Sequence, residues 1–338
     1  MTVHFVVPGD LDEPSGGNVY DRQVITAAGG ALRELPVPGR WPLPDAATSR
    51  RLADALDALP DGATVLLDGL CACGAPEVLE PRARRLRLAV LVHLPLADET
   101  GLAPGVAADL AARERRVLAA ARVVVTTSPW AARSVAERHG VAAERVRTVV
   151  PGVVWSGVRA SGGDGGRLLC VASLTPRKAQ DVLVTALAEL ADLPWRCALV
   201  GPLTRDGGYT DLVRSLIDSH GLADRISLRG PLSGAALEAA YVGADLLLLP
   251  SRAETYGMVI TEALAYGVPA IATSVGGIPD AIGPGVLVAP EDPAALAAAL
   301  RRWLADADHR ARLRAAAAAT RPRTWDRAAA ELLAAVAR

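Results

Sequence analysis

Lys178 is the only lysine among 36 Lys and Arg residues in a chain of 338, and it sits in Ser173 to Gln180, SLTPRKAQ, just after a short apolar run. Lysine, asparagine, phenylalanine and methionine have AT-rich codons. The chain holds one Lys, one Asn, one Phe and two Met beside abundant Ala, Arg, Gly and Pro, which points to a GC-rich genome. Under that pressure a surface lysine drifts to arginine, so a survivor is either chance or a position where the compact ammonium has no substitute. Thr175 suits an N-cap and Pro176 the first helical position, which predicts Arg177 and Lys178 in the first turn of a helix. Cations are disfavoured there unless an anion such as a diphosphate lies among them and the free backbone N–H groups. The plainer alternative is two solvated side chains.

A second constellation is Ser251 to Glu262, SRAETYGMVITE, after the apolar run DLLLLP. Seven residues separate Glu254 from Glu262, so with Glu254 just before a helix and Glu262 two turns in, both carboxylates could face one ligand. A bidentate carboxylate suits the vicinal hydroxyls of a ribose, and Gly257 would let backbone approach a ligand closely. Acids also simply favour a helix N-terminus. The third constellation, Pro14 to Asn18, PSGGN, follows the first apolar run; adjacent glycines there permit a turn whose N–H groups point at an anion. An ordinary glycine turn would look the same. The fourth is His93 in LVHLPLADE, at the end of an expected strand, where an imidazole can contact substrate or be a satisfied structural residue.

Other patterns are weaker. The triplets Asp10 to Asp12 and Asp306 to Asp308 read as solvated acids, with no metal expected, and the cluster Arg82, Arg84, Arg85, Arg87 reads as a solvated face, with peripheral contact to anionic lipid as its alternative. The remaining histidines lack metal-ligand spacing, and His139 and His220 immediately precede glycines at expected helix ends, where the dipole favours them. No G-x-G-x-x-G follows a strand, and no Walker A, H-E-x-x-H or G-x-S-x-G occurs.

Short apolar runs alternate with helical patterns from end to end, the signature of parallel sheets built from βαβ units. Strands are expected at Val3 to Pro8, Thr64 to Leu67, Leu88 to His93, Val123 to Thr126 and Val146 to Val150. They recur at Leu168 to Ala172, Cys197 to Val200, Ile226 to Arg229, Asp245 to Leu249, Pro269 to Ala272 and Val286 to Val288. Between the sets, Trp155 to Gly166 has five glycines and two serines in twelve residues and reads as a linker. The expected domains are residues 1–155, 156–310 and a helical tail over 311–338, with Asp292 an N-cap and Pro293 the first residue of its helix. Periodicity leaves open whether the tail packs back on the first domain. Two doubly wound domains bind ligands at the carboxyl ends of their strands, so the expected site is a cleft between them.

With 51% apolar and 22% charged residues the chain is globular, and its net charge of −1 gives no global attraction to nucleic acid or anionic membrane. Cysteines at 71, 73, 170 and 197 have no zinc spacing and suit a reducing compartment. The N-terminus lacks a signal-peptide pattern, and the uncharged stretch Ala263 to Pro279 is interrupted by Gly and Pro, so a soluble, cytoplasmic protein is expected.

The order PSGGN, LVHLP, TTSPW, PGV, LLCVASLTPRKAQDVL, ALVGP, ISLRGPLS, DLLLLPSRAETYGMVITEALAYGVPAIATSVGGIPDAI resembles glycosyltransferase family 4 from about residue 3 to 290, most densely in the second domain. The resemblance implies an α/β GT-B fold of two doubly wound Rossmann-like domains. It implies a retaining, hexosyltransferase-type enzyme without metal or other cofactor, whose co-substrate is a nucleoside diphosphate sugar (UDP-, GDP- or similar). The acceptor hydroxyl would belong to a small molecule, glycan or lipid. Lys178 would neutralise the departing diphosphate and Glu262 hold the ribose. Glu254 and the backbone of Thr255, Tyr256, Gly257 and Met258 would lie near sugar and phosphates. Gly16 and Gly17 would meet the diphosphate from the other domain, with His93 near the transferred sugar. Members carry an arginine five residues before the lysine; here Ala172-Ser173-Leu174 stands in place of G-R-L, and Arg177 is the candidate replacement. The alternatives are a nucleotide-sugar 2-epimerase, which would convert donor with no acceptor, and a catalytically silent nucleotide-sugar-binding subunit.

Overall fold

The computed structural model describes residues 2–9, 11, 15–99 and 101–337. Asp10 and Asp12 of the first acidic triplet and Pro14 of PSGGN lie outside the described residues. The chain divides into two compact units, Met1–Gly152 with Arg323–Arg338, and Val153–Pro322.

The first unit carries a six-stranded sheet: β1 (Val3–Val7), β2 (Leu32–Pro36), β3 (Thr64–Asp68), β4 (Arg87–Val92), β5 (Val123–Thr126) and β6 (Val146–Thr148), in the order β2-β1-β3-β4-β5-β6. Every pairing is parallel. Strands of such a sheet are covered on both faces, which explains the continuous apolar runs: Val65, Leu66 and Leu67 have no exposed surface. The edge strand β2, LRELP, was not among the expected strands; only Leu32 of its five residues is buried.

The second unit repeats the plan with β7 (Arg167–Val171), β8 (Arg196–Val200), β9 (Ile226–Leu228), β10 (Leu246–Leu249), β11 (Ala270–Thr273) and β12 (Val286–Val288), in the order β12-β11-β10-β7-β8-β9, again all parallel. The four leucines of β10 are buried at its centre.

Two boundaries differ from the sequence reading. The stretch 155–166 is no free linker but part of the second unit: Ala160 N–H donates to Tyr266 O at 2.8 Å, and Gly163 O accepts from Arg314 Nη1 at 2.7 Å. Its glycines are needed where it runs under side chains, since a Cβ on Gly165 would come within 2.5 Å of Arg310. The tail also divides after 322 rather than beginning at 311. Helix Ala307–Ala319 stays with the second unit, because Arg314 and Arg167 share the buried Asp245 carboxylate, each at 2.9 Å. Only the last helix, Trp325–Val336, joins the first unit, where the Trp325 ring meets Tyr20 edge-on at 5.4 Å. Asp292 caps helix Pro293–Ala305 as expected, accepting Ala295 N–H at 2.9 Å. Asp306 of the second acidic triplet caps the next helix through His309 N–H. Among the described residues no helix is long and apolar enough to cross a membrane.

Candidate functional site

In a doubly wound sheet the loops diverge on either side of the strand where the winding reverses, and a crevice opens there at the carboxyl ends. In the second unit that point lies between β7 and β10. The segments leaving these two strands are those singled out by sequence, Ser173 to Lys178 and Ser251 to Gly257.

Their local structure corrects one expectation. Pro176–Lys178 is a 3-10 turn, Thr175 makes no side-chain cap bond, and Ala179 takes a left-handed φ of 54° before the helix Gln180–Ala188 begins. Lys178 therefore does not occupy the first turn of an α-helix, and the dipole argument does not apply to it. What engages it is Glu254: the ammonium donates to Glu254 Oε2, and both side chains are mostly buried. Arg177 Nη1 donates to Ala253 O at 3.3 Å and lies 4.0 Å from Glu254 Oε1, while its Nε is buried with no partner. Burial raises the Glu254 pKa, but Lys178 and then Arg177 outweigh it, so the carboxyl stays below its ordinary range and ionised. Two cations against one carboxylate leave a net positive charge in the crevice.

Arg252, which sequence reasoning passed over, fastens the two segments together. Its backbone N–H donates to Arg177 O at 2.8 Å, and its guanidinium reaches Pro176 O at 2.5 Å and both oxygens of Asp181 at 3.0 and 2.8 Å. Tyr209 OH donates to the same Asp181 at 2.6 Å. A bidentate Arg–Asp pair fixes geometry as well as charge. The only signal for it in the sequence was its place inside SRAETYG.

The downstream glycine pair supports Glu254 from below. Gly277 N–H donates to Glu254 O at 3.0 Å, and Gly276, at φ 54°, passes so close that a Cβ would lie 1.8 Å from that same oxygen. No other residue type fits there without moving Glu254.

Within the chain Glu254 and Glu262 have different partners. Glu262, in helix Met258–Ala265, accepts from Tyr241 OH at 2.5 Å, and Tyr241 stacks on Tyr266 at 5.4 Å. Burial raises the Glu262 pKa, and the Tyr241 bond partly offsets it. Tyr241→Phe should therefore push the Glu262 pKa further up and cost about 1 kcal/mol of stability, measured by carboxyl NMR titration and thermal unfolding. Gly257 has a left-handed φ of 93°, which favours glycine, and a Cβ there would lie 3.2 Å from Ile260 Cδ1 and 3.5 Å from Leu249 Cδ2. Tyr256 is buried beside it, and Thr255 N–H bonds the Glu254 carboxylate. Met258 opens the helix, whose first N–H groups have no intrahelical acceptor.

In the first unit the winding reverses between β1 and β3. PSGGN is not a turn nest; its described part starts the helix Gly16–Ala27, with Ser15 Oγ accepting Asn18 N–H at 3.0 Å. Gly16 and Gly17 thus present first-turn N–H groups. A Cβ on Gly17 would lie 3.1 Å from the His93 ring, so glycine lets the imidazole pack against the helix. His93 Nε2 sits 2.8 Å from Asp21 Oδ1 and 3.9 Å from Asp68 Oδ2. The donor atoms of these three residues lie within 4.8 Å of one another, close enough for a cation or a shared proton. Asp21 and Asp68 escaped sequence reasoning because only folding joins them. His139 ends the helix Pro129–His139 just before the left-handed Gly140, as expected, and its ring lies buried 3.1 Å from Glu114 Oε2.

Residues 157–320 match the family described as "Glycosyl transferases group 1". The second unit belongs to the group 1 glycosyl transferases. The motif resemblance to glycosyltransferase family 4 is borne out by this match. A D-inositol 3-phosphate glycosyltransferase 1 of Catenulispora acidiphila is 33% identical over 251 residues, covering 68% of this chain and 59% of that protein. The D-inositol 3-phosphate glycosyltransferase of Salinispora tropica is 33% identical over 252 residues, covering 65% and 52%. The chain thus spans little more than half the length of the curated relatives it matches. Among solved structures, Anabaena HepE in complex with UDP and glucose aligns with a TM-score of 0.76 at 17% identity, over 94% of this chain and 93% of that one. A sucrose-phosphate synthase of Thermosynechococcus elongatus aligns at 0.76 and 22% identity, over 98% and 97%. At these identities the likeness shows the fold, and the group 1 glycosyl transferase unit with its partner unit has the GT-B fold.

Proposed function

We propose that the chain is a retaining glycosyltransferase of hexosyltransferase type that moves a sugar from a nucleoside diphosphate sugar to an acceptor hydroxyl without a metal. The observation that carries this reading is the crevice beside β7 and β10, where Lys178 and Arg177 outnumber the single carboxylate of Glu254 and Arg177 Nε has no partner. Such a site takes a dianion. Lys178 and Arg177 would bind the diphosphate and stabilise the charge that develops as it leaves, the task a metal performs elsewhere. The N–H groups at Met258 add dipoles of the same sign. Glu262 is assigned to the ribose hydroxyls, and Glu254 with the backbone from Thr255 to Met258 to the sugar and phosphates. For the first unit, the roles proposed are Gly16 and Gly17 toward phosphate and His93 toward the sugar.

Glu254, the carboxylate in the crevice, is engaged by Lys178 and Arg177 and is not assigned as a nucleophile, so the reading is front-face displacement. The acceptor oxygen bonds to the anomeric carbon on the face from which the phosphate departs. The bond from that carbon to the phosphate oxygen breaks, and the acceptor proton passes to that oxygen. Because HepE is solved with UDP and glucose and the curated relatives are named for D-inositol 3-phosphate, UDP sugars and small polyhydroxylated phosphates are the first donors and acceptors to test. Incubation with a panel of UDP, GDP, ADP and dTDP sugars should give transfer, or slow donor hydrolysis, for one of them, with the product anomer retained. Tight binding with no turnover for any donor would sink the reading, and donor conversion with no acceptor present would point to an epimerase.

A further inference from the structure

The first unit buries two carboxyls against one imidazole at its own winding reversal. Asp21, in the second turn of helix Gly16–Ala27, has no exposed surface, and Asp68, the last residue of β3, is 3% exposed. Asp68 Oδ1 accepts Leu70 N–H at 2.5 Å and so caps the helix Gly69–Cys73. Asp21 Oδ1 faces His93 Nε2 at 2.8 Å, but its Oδ2 meets no donor from the rest of the protein. Among the described residues no lysine or arginine forms an ion pair with either carboxyl; only His93 does. Tyr20 OH is committed to Val149 O at 3.0 Å, and Cys71 and Cys73 contribute neutral thiols held high by burial. Arg323 and Glu331, of opposite sign, act on Tyr20 from the C-terminal helix region.

Two buried carboxylates side by side resist ionising together. We propose that Asp21 and Asp68 share one proton and that this pair is a positioning device for His93. The shared proton gives Asp21 Oδ2 the partner it lacks. Asp21 Oδ1 then accepts Nε2–H of a neutral imidazole, which fixes the tautomer and leaves Nδ1 as a bare lone pair. The ring is clamped by Tyr20, edge-on at 5.2 Å, and by Gly17. Burial, reinforced by the Asp21 charge, pushes the Asp68 carboxyl up, and burial pushes Asp21 up as well. Burial also lowers His93, with Asp68 opposing, so the ring stays neutral while the pair holds its proton. This geometry stands without the transferase reading. Only its kinetic consequence rests on that reading.

The test starts from the unaltered protein. Nitrogen-15 spectra of its histidine rings, with His93 assigned by His93→Gln, should show a neutral Nε2–H tautomer from pH 6 to 8. The folded chain retains a carboxyl proton that the unfolded chain releases in the ordinary carboxylate range, so stability should fall as pH rises from about 4 to about 8. Asp68→Asn keeps the helix cap and supplies a permanent N–H in place of the shared proton. It should keep the tautomer, flatten that slope and leave the variant more stable than the parent at pH 8. In transfer assays it should move the alkaline limb of kcat to higher pH with little change in donor KM. An Nδ1–H tautomer in the unaltered protein would overturn the proposal. So would an unchanged slope in Asp68→Asn, or stoichiometric binding of Mn2+ or Zn2+ lost in that variant, which would put a cation where the proton is assigned.

Discussion

Lys178→Ala should lower kcat/KM for sugar transfer by about 10²–10³-fold, ~3–4 kcal/mol of transition-state stabilisation, because it removes a cation aimed at the charge of the leaving diphosphate. It also strands Glu254. With Lys178 gone, burial dominates and the carboxyl pKa rises. In the parent, the depressed pKa contributes stability above the ordinary carboxylate range that is lost as pH falls through the folded value. That contribution should largely vanish in the variant. The double variant Lys178→Met with Glu254→Gln separates the two effects, since it leaves no unpaired buried charge and should restore folding without restoring transfer. Lys178→Arg keeps the charge but exchanges a compact ammonium for a planar fork, and should recover only part of the activity. Steady-state kinetics with pH-dependent unfolding of the four proteins checks the set.

Gly276→Ala should be the most damaging methyl group that can be added to the second unit's site. The position has φ 54°, and the new Cβ would lie 1.8 Å from Glu254 O, so either the glycine turn or the Glu254 segment must shift. The expected cost is about 1–3 kcal/mol of stability from strain and overpacking. A displacement of Glu254 by about 1 Å should lower transfer by about 10²-fold, more than the stability loss alone explains. Gly162→Ala is the control. Its φ is also positive, at 68°, but a Cβ there meets only the Arg314 guanidinium at 3.7 Å, so it should cost stability without the kinetic defect. Equal kinetic losses in the two variants would remove Gly276 from the account of the site.

What could be read from the sequence follows from what is local. Eleven of the twelve strands were legible because parallel strands buried on both faces are nearly continuous apolar runs, as in the LLLL of β10. The missing one, β2, lies at an edge and carries adjacent charges, Arg33 and Glu34, at its middle, so no apolar run announces it. The segments around Lys178, Glu254 and Gly16 were found because turn chemistry and rare residues marked them. The conformation of Lys178 was not, because nothing in TPRKAQ shows that Ala179 adopts a left-handed φ, which alanine seldom does. Glycines in 157–166 read as a linker, yet they serve close packing under Arg310 and Arg314. Arg252, Asp181, Asp21 and Asp68 were illegible for a common reason: each is an ordinary charged residue until distant strands bring its partner within hydrogen-bond reach.

The central claim is that Lys178 and Arg177 form a diphosphate site, and calorimetric titration of the unaltered protein and of the Lys178→Met, Glu254→Gln double variant with matched nucleoside diphosphates and monophosphates tests it most directly. For the base that binds best, the diphosphate should bind the unaltered protein at least tenfold more tightly than the monophosphate, about 1.4 kcal/mol. The double variant should lose that difference while keeping its monophosphate affinity. Equal affinity for the two nucleotides in the unaltered protein, or an undiminished preference in the double variant, would contradict the claim.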